Sequence, residues 1–328
     1  MPGANAIETL INDPLLYRTP LPYEARFYPL GFPADVASNS REVLDAARQS
    51  WGVYAPRFDT APMRLHAIVS EGGAGTPPDP VLRGQRHLLS WVCDRENFSL
   101  CDRLQRFGYC FVTRATVADT VFFRWHFLEA IIFMLQEQIC YTSLHAGCVA
   151  LDGAGVLLYG DSGVGKSTLA YACARRGWTY ISDDGSSVLL GGGRTVIGES
   201  HRFRFRAGAP DIFPELRGLT VGRELDRKPT IEVRTADLPI RTAPECRVDY
   251  IVFVHRRPGS RASLARISRA DVRERLLGEM PLLDEEVDVR RTDAIVSISE
   301  ASGYKLCYGS FEEAVPLLEQ MVRAGGVA

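Results

Sequence analysis

Lysine is scarce in this chain: only Lys166, Lys228 and Lys305 occur among 38 basic side chains, the rest being arginine. Such a bias follows from a GC-rich coding sequence, and it makes each remaining lysine informative. Net charge is also small, at -2. That excludes a strong field for non-specific attraction to nucleic acid or an anionic membrane. Long hydrophobic runs are absent; the best, Phe127 to Leu135, carries Glu129 and is far shorter than the ~20 residues of a membrane span. The opening MPGANAIETLINDP has no basic segment leading into an apolar run, so no secretory signal is expected. The eight cysteines form no CxxC pair, which argues against a zinc site or disulfide frame and for reduced thiols. These absences lead to the expectation of a soluble, cytoplasmic protein with no nucleic-acid or membrane partner.

What is present is a globular composition: 328 residues, 46% hydrophobic and 24% charged, enough for a full core and two domains. No internal repeat is visible. NSREVLDAARQSWG predicts a helix starting near Ser40 and stopping at Gly52. EGGAGTPPDP reads as a loop, and GYCFVTR alternates like a strand. Phe122, Trp125, Leu128, Ile132, Leu135 and Ile139 recur at helical spacing, predicting one long helix from about Ala118 to Tyr141. From residue 144 the order becomes strand, strand, helix, strand, followed by further strands and two late helical patterns. This predicts an α/β fold with a mixed sheet.

Gly160-Asp161-Ser162-Gly163-Val164-Gly165-Lys166-Ser167 fits GxxxxGK[ST] at every fixed position. An apolar run precedes it, and helix formers follow from Thr168, as a phosphate-binding loop requires. Glycines allow the tight turn that aims successive N–H groups at one concavity, and the helix N-terminus adds positive potential there. Lys166 is expected to reach the β- and γ-phosphates of ATP, and the Ser167 hydroxyl to ligate Mg2+.

The next strand ends at Asp183-Asp184. A right-handed βαβ unit would set it parallel to the P-loop strand, bringing two carboxylates beside the triphosphate. One could hold the metal while the other accepts a proton from an attacking hydroxyl. The alternative is that the pair only caps a turn before Gly185-Ser186.

The stretch LHAGCVALDGAGVLLYGDSGVGKSTLAYACARRGWTYISDD resembles the core of bacterial HPr serine kinase/phosphorylase. There, a His-bearing strand leads to GDSGxGKS, a helix ending in RRG or KRG, and a strand ending in Asp-Asp. PELRGL, at 214–219, is similar to that family's EIRGL signature. The resemblance covers about residues 144–220. It implies a P-loop, phosphoenolpyruvate carboxykinase-like mixed-sheet kinase domain at 119–328. A smaller N-terminal α+β domain at 1–118 would recognise the acceptor or a partner. Carried over by position, Asp183 is the general base and Asp184 a metal ligand, with the reverse left open. His145 lies near the phosphates; Arg217 and Glu215 lie on the acceptor side, Glu215 also among the metal ligands. After Leu219 the sequence departs from the family at Thr220-Val221-Gly222. Similar proteins occur in peptide-modification clusters, including lasso peptide clusters, where the acceptor is a peptide serine.

The expected function is ATP- and Mg2+-dependent transfer of the γ-phosphoryl group to a hydroxyl, namely serine of a protein or peptide. A small-molecule kinase and a non-catalytic ATP-binding regulator are the alternatives, and a homo-oligomer is left open. HRFRFR reads either as an arginine row for an anion or as a solvated strand face, and His255-Arg256-Arg257 follows a buried strand.

Overall fold

The computed structural model describes residues 19–73, 75–137, 139–219, 222–225, 228–278 and 285–326. The N-terminal segment and Thr220-Val221, both singled out above, lie outside the described residues. The chain divides into two compact units, Met1–Ile139 and Cys140–Ala328.

The first unit begins with β1 (Tyr23–Phe27), β2 (Ala34–Ser38), α1 (Arg41–Trp51) and β3 (Met63–Ser70). Then follow β4 (Val81–Gln85), β5 (Leu88–Val92), β6 (Phe98–Asp102) and β7 (Phe107–Thr113). It ends with α2 (Arg114–Ala118), α3 (Thr120–Phe123), a π-helical segment Arg124–Glu129 and α4 (Ala130–Gln136). Among the described residues its strands form one sheet in the order β1-β2-β3-β7-β6-β5-β4. α1 lies between Ser40 and Gly52 as the sequence predicts.

The helix expected from Ala118 to Tyr141 runs from Thr120 to Gln136, shorter at both ends and with a π-helical segment in its middle. A π-turn widens the helical repeat and rotates the apolar stripe. Phe127 and Ile131 are thereby buried, while Trp125 and Ile139 are only half-buried. α4 packs tightly on β7 where Gly108 offers no side chain: a Cβ there would lie 2.8 Å from Ile131 Cγ2. These contacts put the break between units after Ile139, later than the 118/119 division read from the sequence.

The second unit opens with β8 (Tyr141–Leu144), β9 (Ala146–Leu151), β10 (Ala154–Tyr159), α5 (Lys166–Arg175) and β11 (Thr179–Ser182). β12 (Ser186–Leu189), β13 (Thr195–Gly198), β14 (Arg202–Arg206), the short α6 (Ala209–Ile212), β15 (Gly222–Leu225) and β16 (Lys228–Arg234) follow. The chain finishes with β17 (Arg241–Thr242), β18 (Glu245–Arg256), β19 (Ser263–Ile267), α7 (Arg269–Gly278), α8 (Glu285–Ile298), β20 (Ser302–Tyr308) and α9 (Phe311–Arg323). The main sheet runs β17-β11-β9-β10-β18-β13-β12-β8, with β20 also paired to β18 and β19; β14, β16 and β15 form a separate small sheet. Parallel and antiparallel pairs coexist, so this is a mixed α/β unit. No helix among the described residues is long and apolar enough to cross a membrane.

One core joins α5 and α9 to the small sheet through Phe203 and Phe205. Phe203 is fully buried, with ring centres 4.3 Å from Tyr180 and 4.7 Å from Phe205. Tyr180 lies on the strand that leads to Asp183, so this stack anchors the small sheet to the site. Phe203→Ala is expected to cost about 3–5 kcal/mol, measured by denaturant unfolding; a loss below about 1 kcal/mol would show that the stack is dispensable.

Candidate functional site

β10 ends at Tyr159, and the loop that follows has Gly160, Gly163 and Gly165 at φ of +150°, +89° and +94°. Only glycine adopts this run without strain. α5 begins at Lys166, directly after Gly165 in the left-handed region. The residues expected to cradle phosphate, Gly160 to Thr168, therefore form a strand–loop–helix nest. Lys166 is 3% exposed, and its Nζ donates to the carbonyls of Gly160 at 2.8 Å and Asp161 at 3.1 Å.

The carboxylate side is built by a less visible device. β9 lies between β10 and β11, antiparallel to both, so β10 and β11 run in the same direction without touching. The expected parallel relation of the two strands holds, with an extra strand inserted. The β9–β11 register slips between Tyr180 and Ser182, the mark of a bulge that re-aims the residues after it. Gly147 makes room: a Cβ there would lie 3.0 Å from the Asp183 carbonyl oxygen. Ser182 and Ser186 hydroxyls share a 2.7 Å hydrogen bond, and Ser186 Oγ donates to the Ala146 carbonyl at 2.8 Å. This clamp fixes the Asp183-Asp184 turn against the start of β9, where His145 stands.

Asp184 faces the loop. Its Oδ1 is 3.9 Å from Lys166 Nζ and 3.4 Å from His145 Nε2. Asp184 is exposed whereas Asp183 is buried. The Arg204 backbone N–H donates to Asp183 Oδ2 at 2.8 Å. Burial nonetheless pushes the Asp183 carboxyl up to about 6, against the opposing influence of Arg204. Two adjacent carboxylates thus stand in different environments, the arrangement that separates a proton acceptor from a charged ligand.

The acceptor-side candidates lie elsewhere on the unit. Glu215 Oε1 accepts from Arg175 Nε at 2.8 Å and Tyr171 Oη at 3.2 Å, on the α5 face beyond Ser167. Arg217 is exposed. Arg202 and Arg204 do not form a free arginine row, because Glu199 and Glu232 take up their charge. Arg202 is 4% exposed, so the solvated-face reading does not hold for it either. His255 stands near the carboxyl end of β18, and burial together with Lys305 and Arg275 holds its imidazole low.

Among the described residues no three His, Cys, Asp or Glu side chains cluster as a metal cage. Mg2+ does not require one, since it keeps several waters and takes one or two carboxylates plus phosphate oxygens. An exposed hard-oxygen ligand, Asp184, standing 3.9 Å from Lys166 at the start of α5, fits that demand.

Sequence reasoning missed three contributors: Gly147, the Ser182–Ser186 clamp and the Arg204 backbone N–H. The Asp152-Gly153 pair could have exposed the β9–β10 hairpin, since both residues have positive φ, as a two-residue Asp-Gly turn requires.

Comparison with known proteins bears on this same segment. Residues 137–219 match the family model described as the HPr Serine kinase C-terminal domain. Residues 137–219 are HPr-kinase-like. The chain is 25% identical over 233 residues to an HPr kinase/phosphorylase of Prosthecochloris aestuarii, covering 68% of this chain and 60% of the relative. It is 25% identical over 174 residues to one of Mycoplasmopsis pulmonis, covering 52% of this chain and 50% of that one. Against one of Limosilactobacillus reuteri identity rises to 41%, but over 92 residues, 27% of this chain and 26% of the relative. This chain thus spans between about a quarter and three fifths of the length of these curated relatives. A solved Hpr(Ser) kinase/phosphatase from Coxiella burnetii aligns with TM-score 0.30 and 14% identity, over 56% of this chain and 95% of that one. The HPr-kinase-like segment contains the P-loop, the Asp183-Asp184 turn and the PELRGL stretch.

Proposed function

We propose that this chain is an ATP- and Mg2+-dependent phosphotransferase that moves the γ-phosphoryl group to a hydroxyl, the serine of a protein or peptide. The observation that carries the reading is the pair of unlike carboxylates in the turn after β11: Asp184 exposed and 3.9 Å from Lys166, Asp183 buried and held by Arg204 N–H. A binder alone has no use for the second, desolvated acid.

In this reading the loop N–H groups and Lys166 bind and orient the β- and γ-phosphates. Ser167 and Asp184 hold Mg2+, which when bound neutralises the charge on the phosphate oxygens. Asp183 accepts the proton of the attacking hydroxyl as the Oγ–P bond forms and the β–γ bridging P–O bond breaks, with ADP leaving. His145 orients Asp184 through the 3.4 Å contact, and Arg217, which is exposed, meets the acceptor. The HPr-kinase-like segment supports a carboxykinase-related scaffold and a cytoplasmic setting. The relatives' name supports a protein acceptor, and the N-terminal unit is assigned to choosing it. Glu215, tied to Arg175, supports that side of the site as a positioning residue and is the weaker candidate for the metal.

Incubating the full chain with radiolabelled ATP, Mg2+, HPr and serine-bearing peptides is expected to label a serine. Label appearing only on free metabolites would replace this reading with a small-molecule kinase. ATP bound without turnover in any mixture would leave a nucleotide-dependent regulator.

A further inference from the structure

We propose that Arg256 is a phosphate ligand of the nucleotide site, a guanidinium delivered from the carboxyl end of β18 to the polyphosphate held by the 160–167 loop. The inference rests on the nucleotide-binding reading above and adds a side chain to it. β18 runs parallel to β10, and their register is kept as far as Tyr159 opposite Phe253. There β10 gives way to the loop, while β18 continues through Val254, His255 and Arg256. At ~3.3 Å per residue, Arg256 lies about 10 Å farther along the same direction, beside the loop and not beneath it.

The contacts follow that alignment from one end of the loop to the other. A Cβ at Gly160 would lie 3.0 Å from the Val254 carbonyl oxygen. At Gly165, where α5 begins, a Cβ would lie 3.6 Å from Arg256 Cδ and 2.9 Å from Tyr308 Oη. Glycine is thus required at 165 both for its φ and because the Tyr308 hydroxyl closes against it, with the Arg256 stem in van der Waals contact alongside.

The arginine is held in place. It stands opposite Tyr308 in the β18–β20 register, and its Cζ lies 5.1 Å from the Phe311 ring centre. Tyr308 is fully buried, and its Oη donates to the Val164 carbonyl at 3.4 Å. One aromatic residue therefore braces the loop and another stacks the guanidinium, so Arg256 gives up less conformational freedom when it engages a ligand.

Its charge is also available. Arg175, Arg176, Arg202 and Arg204 on this unit are each paired with a carboxylate. Among the described residues Arg256 has no such partner, and it is exposed. An exposed guanidinium, stacked and free of a counter-charge beside a nest of N–H groups, suits two phosphate oxygens at once. Lys166 is the charge inside the loop; Arg256 is the charge at its outer wall.

The test is calorimetric titration of the full chain and its Arg256→Met and Arg256→Lys variants with Mg2+-ATP and with inorganic tripolyphosphate. Methionine keeps the apolar stem against Gly165 and Phe311 without the charge, and lysine restores the charge without the fork. Arg256→Met is expected to weaken both ligands about 10- to 100-fold, with Arg256→Lys recovering part of the loss. Met binding both ligands within threefold of the native chain would reduce Arg256 to packing and overturn the inference. A loss for ATP that tripolyphosphate does not share would overturn it too, by assigning Arg256 to the base or ribose. Because binding is read without turnover, a chain that binds ATP but transfers nothing would defeat the kinase reading and leave this one standing. A native chain that binds neither ligand would overturn both.

Discussion

Lys166→Ala is expected to abolish phosphoryl transfer, with kcat/KM down at least about a thousandfold, and to weaken Mg2+-ATP by about 10- to 100-fold. The side chain is buried at 3% exposure, with its ammonium fixed by the Gly160 and Asp161 carbonyls and facing Asp184 at 3.9 Å. Alanine removes the charge that meets the transferring group and leaves two loop carbonyls without their donor, so binding and chemistry fall together. Lys166→Arg is expected to fail nearly as badly, because a planar fork cannot fit where a compact ammonium is enclosed by the loop. Rapid-quench transfer assays alongside ATP titration separate the two quantities. Turnover by Lys166→Ala within tenfold of native would mean that this loop does not hold the reacting nucleotide.

Asp183→Asn is the sharper case, because activity and stability should move in opposite directions. Transfer is expected to drop by about a hundredfold or more, since asparagine cannot take up the hydroxyl proton, while Mg2+-ATP affinity changes less than threefold. Asparagine can still accept from the Arg204 N–H, which now holds Asp183 at 2.8 Å. The carboxyl's pKa in the fold, about 6 against an ordinary 3.8, reflects burial of the charged form. A raised folded pKa means a contribution that is fully present below pH ~3.8 and lost as pH rises through about 6. At neutral pH the ionised Asp183 is therefore a cost to the fold. In chelator and without nucleotide, Asp183→Asn should be more stable than native at pH 7.5, by on the order of 2 kcal/mol. That advantage should shrink toward zero below pH ~4. Denaturant unfolding at the two pH values checks this. Equal stability of the two proteins at pH 7.5, or near-native transfer by the variant, would remove Asp183 from the role of base.

The parts of this site that could be read in the sequence are those determined by neighbours along the chain. Gly160 to Gly165 form a loop leading into α5 because glycine spacing, a preceding apolar run and a following helix all act within twenty residues. α1, β7 and the strand that carries Asp183 could likewise be read from local periodicity. What could not be read depends on partners distant in sequence. Arg202 and Arg204 alternate as a strand should, yet their charges meet Glu199 and Glu232, the second brought in by β16. The Arg204 amide that holds Asp183 arrives from the small sheet, and no local pattern announces it. Glu215 carries a signature of motif type but turns to Arg175 and Tyr171, one α-helical turn apart. The helix expected from Ala118 to Tyr141 forms from Thr120 to Gln136, but its π-helical segment could not be read, because it shifts the stripe without altering the residue types that make it up.

β9 has a role beyond spacing. It is buried along its whole length and hydrogen-bonds on one edge to the strand that bears the phosphate loop and on the other to the strand that bears the aspartates. Neither functional strand can peel away from the other without parting a ladder of β9, and its buried amides have no solvent route to exchange short of such an opening. The two halves of the site are consequently members of one cooperative unit. A fluctuation that parts β9 from β10 or β11 disturbs the loop and the acids together, so on the proposed function partial opening is expected to lose nucleotide binding and transfer at once.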